Sequence, residues 1–158
     1  MYLIRDYQET DLSRLARVYR DAVTAQGGIG YSAGQVAAWS DFPNLYADEF
    51  RTMVEGGYTR VACWQQAPVA FASLYPDHHL ALLYVLAEHG RRGLASWLCG
   101  DLQQEARRRG VAQLTTDASL LSRPVFERCG FQVVERQEVT RGGQVFIRFA
   151  MTQPLGPP

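Results

Sequence analysis

Residues 80–109, LALLYVLAEHGRRGLASWLCGDLQQEARRR, decide how the rest of this chain is understood. The stretch starts as an apolar run, passes through a turn made of Gly90, Arg91, Arg92 and Gly93, and continues as a long amphipathic pattern. Leu94, Ala95, Leu98, Leu102 and Ala106 recur on one helical face, with Asp101, Gln103, Gln104, Arg107 and Arg108 on the other and Gly110 as the stop. A strand that turns directly into a helix leaves the first N–H groups of the helix without partners and directs its positive dipole end at the same place. Glycines in the turn let a ligand approach that backbone, so the stretch predicts an anion site of the kind that suits a phosphate.

Outward from that stretch, the upstream half divides into short elements. Residues 1–7 read as a first strand, and Leu12, Leu15, Ala16, Tyr19, Ala22 and Val23 form the inner stripe of a helix stopped at Gln26 to Gly30. Ser32 is positioned to cap a second helical piece over 33–39, Asp41-Phe42-Pro43-Asn44 is expected to break it, and a third piece covers 46–55. β-formers over 58–64 and 69–75 flank a turn and predict a hairpin, and the nearly continuous apolar run 80–85 predicts a fourth strand buried on both faces. Downstream, a strand over 111–116, a short helix over 121–129, and two strands over 131–140 and 144–152 around Arg141-Gly142-Gly143 complete the chain. The expectation is one α/β (α+β) domain over 1–153, with a mixed sheet of about seven strands and about four helices on its faces, followed by a loose tail over 154–158.

Composition bounds the function classes. A chain of 158 residues can bury about 68–70% of its extended surface and needs no staple. Its formal net charge is zero, which gives no bulk attraction to nucleic acid or to a membrane. All sixteen basic residues are arginine, a bias to which no function is attached. Cys63, Cys99 and Cys129 are odd in number and show no Cys-x-x-Cys or Cys/His spacing, so disulfides and structural zinc are disfavoured and a reducing cytoplasm is expected. Neither a signal-peptide pattern nor an apolar run near membrane length is present.

Two blocks then carry a resemblance. Leu83-Tyr84-Val85 followed by Glu88-His89-Gly90-Arg91-Arg92-Gly93-Leu94-Ala95-Ser96, and later Pro124-Val125-Phe126-Glu127-Arg128-Cys129-Gly130-Phe131, resemble the GNAT superfamily of acyl-CoA-dependent N-acyltransferases. The phosphate loop of that family, Q/R-x-x-G-x-G/A, is matched by Gly90 to Ala95 at every position except the first, which is Gly90. Tyr31-Ser32, Gln35 and Ala38-Trp39, with Asp117-Ala118-Ser119, extend the similarity to small bacterial members and to almost the whole chain. The resemblance implies a mostly antiparallel sheet splayed between strands four and five. It also implies acetyl-CoA as co-substrate, no metal, an amine acceptor on a small molecule or peptide, and in some members a homodimer.

The site residues follow from the match. Arg91, Arg92, Gly93, Leu94, Ala95 and Ser96 are expected to hold the pyrophosphate of coenzyme A, since two arginines at a positive dipole end make sense opposite a polyanion. Leu83, Tyr84 and Val85 are expected to pair with the pantetheine arm as an added strand, with a backbone N–H near Val85 facing the thioester carbonyl. Ser119 and Ser122 are expected near the coenzyme or as caps, and Phe126 occupies the position where many members carry a tyrosine that protonates the thiolate. Deprotonating an amine of pKa about 10.4 at pH 7 costs roughly 4.6 kcal/mol against roughly 2 kcal/mol for a thiol near 8.5, so loss of that acid is the milder loss. Tyr84 is an alternative acid. His79 aligns with the glutamate base of histone-type members and suits the task by its pKa, although His78 and His79 could equally be a wet strand entrance. Tyr31, Trp39 and His78 are the acceptor-site candidates, with core packing the competing role for Trp39. An acyl-CoA-binding module without transfer is the alternative activity.

Overall fold

A computed structural model describes residues 1–156. In chain order it contains β1 (Tyr2–Asp6), α1 (Leu12–Gly27), α2 (Ala33–Ser40), α3 (Phe42–Leu45), α4 (Ala47–Glu55), β2 (Tyr58–Trp64), β3 (Ala67–Leu74), β4 (His79–Val85), α5 (Leu94–Arg108), β5 (Gln113–Ala118), α6 (Arg123–Arg128), β6 (Gln132–Arg141) and β7 (Gln144–Pro154). The strands make one seven-stranded sheet in the order β1-β2-β3-β4-β5-β7-β6. Every neighbouring pair is antiparallel except β4 with β5.

The helical segments are more numerous than expected, because Pro43 does not end helical structure. Placed in the first turn of α3, where its missing N–H would have had no partner, proline starts a single turn and is itself buried. Ser32 caps α2 as expected: its Oγ accepts from the Gln35 N–H at 3.1 Å while Gln35 Oε1 accepts from the Ser32 N–H at 2.8 Å.

β3 is buried at every position from Pro68 to Leu74, which requires cover on both faces of the sheet. α1 packs on β3 and β4, and α5 packs on β2, β3 and β4. Leu98 and Leu102 of α5 and Leu15 of α1 are fully buried, each contributing about 1.5–3 kcal/mol of transfer free energy.

β4 corrects the sequence-based expectation. Leu80 and Leu82 are buried, but Ala81, Leu83, Tyr84 and Val85 are only half-buried. The cause is the neighbour: β4 pairs with β5 at His79↔Thr115 and Leu80↔Thr116, and no further. Ser73 pairs with Leu82 and Leu74 with Leu80, so Ala81 is an extra residue on β4. Such a bulge bends its strand and adds twist, and this one sits where the ladder to β5 stops. The apolar run therefore faces an opening beyond Ala81, which is the splay between strands four and five.

The tail is held at its start. Pro154 ends β7, Leu155 is buried, and its N–H donates to the Ala112 carbonyl at 2.8 Å. Residues 157–158, expected to be loose, lie outside the described residues. Among the described residues no helix is long and apolar enough to cross a membrane.

Candidate active site

The divergence of β4 from β5 opens a cleft of about 960 Å³. It is lined by Leu83, Tyr84 and Val85 of β4 and by the start of α5, and also by the aromatic rings of Tyr31, Trp39, Phe42, Tyr46 and Phe146, with Tyr84 packed toward those rings through Tyr19. Along β4 successive N–H groups point to opposite edges. The Leu86 N–H donates to Val69 of β3 at 2.9 Å, so the Val85 N–H points away from β3, toward the opening.

At the α5 end, Gly93 sits in the left-handed region at φ +80, and Arg91 does too, at φ +59. A non-glycine residue held there carries local strain of the kind that gathers at binding sites. No side chain caps α5, and its first backbone bond runs from the Trp97 N–H to the Gly93 carbonyl at 3.0 Å. Among the described residues, the N–H groups of Gly93, Leu94, Ala95 and Ser96 find no acceptor. A Cβ built on Gly93 meets nothing within 4 Å, so the space above these donors is open. Together with the Arg91 side chain, this set fits the pyrophosphate of coenzyme A. Arg92, expected to add its charge, is exposed and is not part of the cleft wall.

The loop is anchored by His89. Its Nδ1 is hydrogen-bonded to the Tyr2 hydroxyl at 2.8 Å, and its ring packs edge-on against Tyr2 at 5.6 Å. On the opposite wall, Ser119 and Ser122 bind one another reciprocally: the Ser122 N–H donates to Ser119 Oγ at 3.0 Å and the Ser119 N–H to Ser122 Oγ at 2.8 Å. Both line the cleft, and neither side chain caps α6 itself, whose N-cap Ser122 makes no side-chain cap bond. Phe126 is 4% exposed, packs against Phe131 at 5.5 Å, and forms part of the cleft wall without offering a hydroxyl.

At the aromatic end, the Tyr31 hydroxyl accepts the Leu120 N–H at 2.9 Å, tying the α1–α2 loop to the β5–α6 loop across the cleft. Its ring lies 5.3 Å from Trp39 and 6.3 Å from Phe146. Trp39 and Tyr46 line the cleft as well as packing, with Tyr46 stacked on Phe42 at 5.7 Å. Tyr84 lies 4.4 Å from the Tyr19 ring, and burial raises its phenol above the ordinary value, keeping it protonated at neutral pH.

The two candidate histidines separate. His78 is exposed beside Asp77, at 3.4 Å, and does not line the cleft. The turn before β4 carries it away from the opening. His79 is half-buried, with Nδ1 2.7 Å from Thr115 Oγ1 and Nε2 3.7 Å from Asp117 Oδ2. Burial lowers its pKa below 6.5, more than the Asp117 charge raises it, so the imidazole is neutral at pH 7. His79 itself is not in the cleft wall, whereas Asp117 is, with Arg148 Nη1 3.8 Å from the same carboxylate oxygen. Asp117, Arg148, Arg141 and Glu49 are cleft groups to which sequence reasoning gave no role. The signal for Asp117 was its place in the Asp117-Ala118-Ser119 block, and for Arg141 its place before the Gly142-Gly143 turn. Among the described residues no group of three or more His, Cys, Asp or Glu side chains could hold a metal ion.

Comparison with known proteins gives a consistent picture. Residues 28–153 match the family model described as Acetyltransferase (GNAT) domain. The uncharacterized N-acetyltransferase YafP of Escherichia coli (strain K12) is 34% identical over 148 residues, covering 94% of this chain and 93% of that protein. A crystal structure of a GCN5-related N-acetyltransferase from Rhodopseudomonas palustris superimposes with a TM-score of 0.91 at 29% identity, over 97% of this chain and 95% of that one. The structure of YncA, a putative acetyltransferase from Salmonella typhimurium with its cofactor acetyl-CoA, gives a TM-score of 0.70 at 20% identity, over 98% and 94% of the two chains. That last likeness is one of fold alone.

Proposed function

The chain belongs to the GNAT acetyltransferases, and from that premise we propose that it moves the acetyl group of acetyl-CoA to a primary amine of a small molecule or peptide. The observation that carries this is the uncapped start of α5, whose free N–H groups open onto the cleft where β4 leaves β5. When bound, acetyl-CoA supplies an acyl group already activated as a thioester. The chain's own residues then divide the work. The N–H groups of Gly93 to Ser96 and the Arg91 guanidinium hold the pyrophosphate, while Leu83, Tyr84 and Val85 offer a strand edge to the pantetheine arm. Ser119, Ser122 and Phe126 close the opposite wall. The Val85 N–H is directed so that it can donate to the carbonyl oxygen of the acyl group.

Proton removal from the amine is the larger barrier, and the neutral His79 supplies a base. Asp117, on the cleft wall, takes the amine proton and passes it across the 3.7 Å gap to the unprotonated Nε2 of His79, whose Nδ1–H donates to Thr115 Oγ1. Tyr84, protonated and on the cleft wall, is the donor on the thiol side, helped by water. Three free thiols support a reducing compartment such as the cytoplasm.

The test is thiol release from acetyl-CoA across a panel of amines, beside calorimetric binding of coenzyme A. We expect turnover with at least one amine, falling about a hundredfold or more in His79→Ala while binding is kept. Binding without turnover for any amine would assign the chain to the acyl-CoA-binding modules instead, a reading that the missing hydroxyl at Phe126 keeps open.

A further inference from the structure

The aromatic end of the cleft holds an arginine that the chain itself does not use. Arg141 is the last residue of β6 and lines the cleft. The charged groups around that end are Glu49 from α4, Asp117 from β5, Arg148 from β7 and Arg141. Arg148 is committed within the protein: its Nε donates to Gln137 Oε1 at 2.8 Å, and its Nη1 stands 3.8 Å from Asp117 Oδ2. Among the described residues, Arg141 has neither an ion pair nor a side-chain hydrogen bond, and Glu49 has none either.

Arg141 is solvent-exposed while lining the cleft, and the hairpin turn that carries it is held in place by two contacts. The turn that follows it packs on α2, since a Cβ on Gly142, at φ +55, would stand 2.9 Å from the Ala38 Cβ. Gln35 Nε2 also donates to the Val145 carbonyl at 2.7 Å, fixing the other arm of the hairpin.

A guanidinium presents a planar fork of donors that matches a carboxylate bidentately. Arg141 is exposed and unpaired, so its fork is free to meet an anion that enters the cleft beside the aromatic walls. Resting on the transferase reading for the amine itself, we infer that Arg141 binds a carboxylate on the acceptor, which makes the acceptor a small primary amine carrying a carboxylate and an apolar or aromatic body. The rings of Tyr31, Trp39, Phe42, Tyr46 and Phe146 receive that body, and Arg141 sets specificity without touching the reacting atoms.

The experiment compares matched amines with and without the carboxylate: alanine, leucine and phenylalanine against ethylamine, isoamylamine and phenethylamine, with wild-type protein, Arg141→Gln and Arg141→Lys. At least one acid should exceed its decarboxylated partner in kcat/KM by about tenfold or more, mainly through KM. Arg141→Gln should lower kcat/KM for the acids to that of their plain-amine partners, removing the preference, and Arg141→Lys should restore part of it. Equal kcat/KM within every pair, or a preference that survives Arg141→Gln, overturns the assignment. Should no amine be acetylated, the transferase reading fails separately, and calorimetry on protein saturated with coenzyme A decides the present one. Hydrocinnamate, isocaproate and butyrate should then bind about tenfold more tightly than their amides, only when Arg141 is present; equal binding of acids and amides refutes the carboxylate site.

Discussion

Replacing Gly93 with alanine separates the cost to the fold from the cost to the ligand. The backbone there is left-handed, at φ +80, and a Cβ would meet nothing within 4 Å. No steric term arises, so the stability cost is the conformational one, about 1–2 kcal/mol for an L-residue in that region. For a chain of this size each kcal/mol lowers Tm by about 2–4 °C, which gives a fall of roughly 2–8 °C. Gly100, in the interior of the same helix and also without a neighbour within 4 Å, is the control. Gly100→Ala should gain about 0.5–1 kcal/mol through helix propensity. Coenzyme A affinity should respond in a different order. If the Gly93 turn relaxes, the N–H groups that follow it lose their aim at the phosphate, and losing one charge-assisted hydrogen bond costs about 1.5–3 kcal/mol, or roughly ten- to 150-fold in Kd. Thermal melts and calorimetric titration of coenzyme A measure both effects. A Gly93→Ala protein that melts and binds like wild type, or a Gly100→Ala protein that loses affinity to the same degree, would refute the helix-start site.

Other residues give independent checks. Because burial holds the folded His79 pKa below 6.5, stability should be intact above that value and be lost as pH falls through the lowered pKa, with the slope flattened in His79→Gln, as followed by urea titrations at several pH values. The acid limb of the kcat/KM profile should lie below 6.5 as well, and a limb above it would exclude His79 as the base. Asp11, buried, accepts two bonds from Arg5 at 2.7 and 2.9 Å, and the guanidinium holds its carboxyl below the usual range despite burial; Arg5→Met should therefore cost about 3 kcal/mol or more in chemical denaturation. The Cys129 thiol is drawn down to about 7, first by a hydrogen bond from Cys99 and then by Arg128 and Ser96, while Cys99 is pushed upward. Iodoacetamide near neutral pH should label Cys129 ahead of Cys99 and Cys63, as read by peptide mass spectrometry, and equal labelling of the three would contradict that ordering.

The order of elements could be read from the chain because strand and helix periodicities differ and glycines or turns separate them, and the α5 anion site came from one contiguous stretch. What could not be read depends on distance in space. The run Leu80 to Val85 has the composition of a strand buried on both faces, yet its neighbour departs after Leu80, and nothing local encodes that departure. Pro43 was taken as a break because its position within a turn, which decides between breaking and starting a helix, was unknown. Asp117 reaches His79 through the parallel pairing of β4 with β5, across 38 residues of sequence, so no spacing rule connects them. Arg91 and Arg92 looked equivalent, yet only Arg91, with its left-handed backbone, lines the cleft. Arg141 read as an ordinary turn residue, and only the folding of the β6–β7 hairpin against the cleft brings it to the lining.

The most direct measurement is the transfer itself: acetyl-CoA labelled with carbon-13 in the acetyl group, incubated with wild-type protein and with Gly93→Val across the amine panel, followed by mass spectrometry of the amines. The account predicts a labelled N-acetyl product that requires the protein and is lost or strongly reduced in Gly93→Val, whose branched side chain cannot hold the φ +80 turn. A wild-type protein that binds coenzyme A and transfers label to none of the amines, or a Gly93→Val protein that transfers it as fast as wild type, would contradict it.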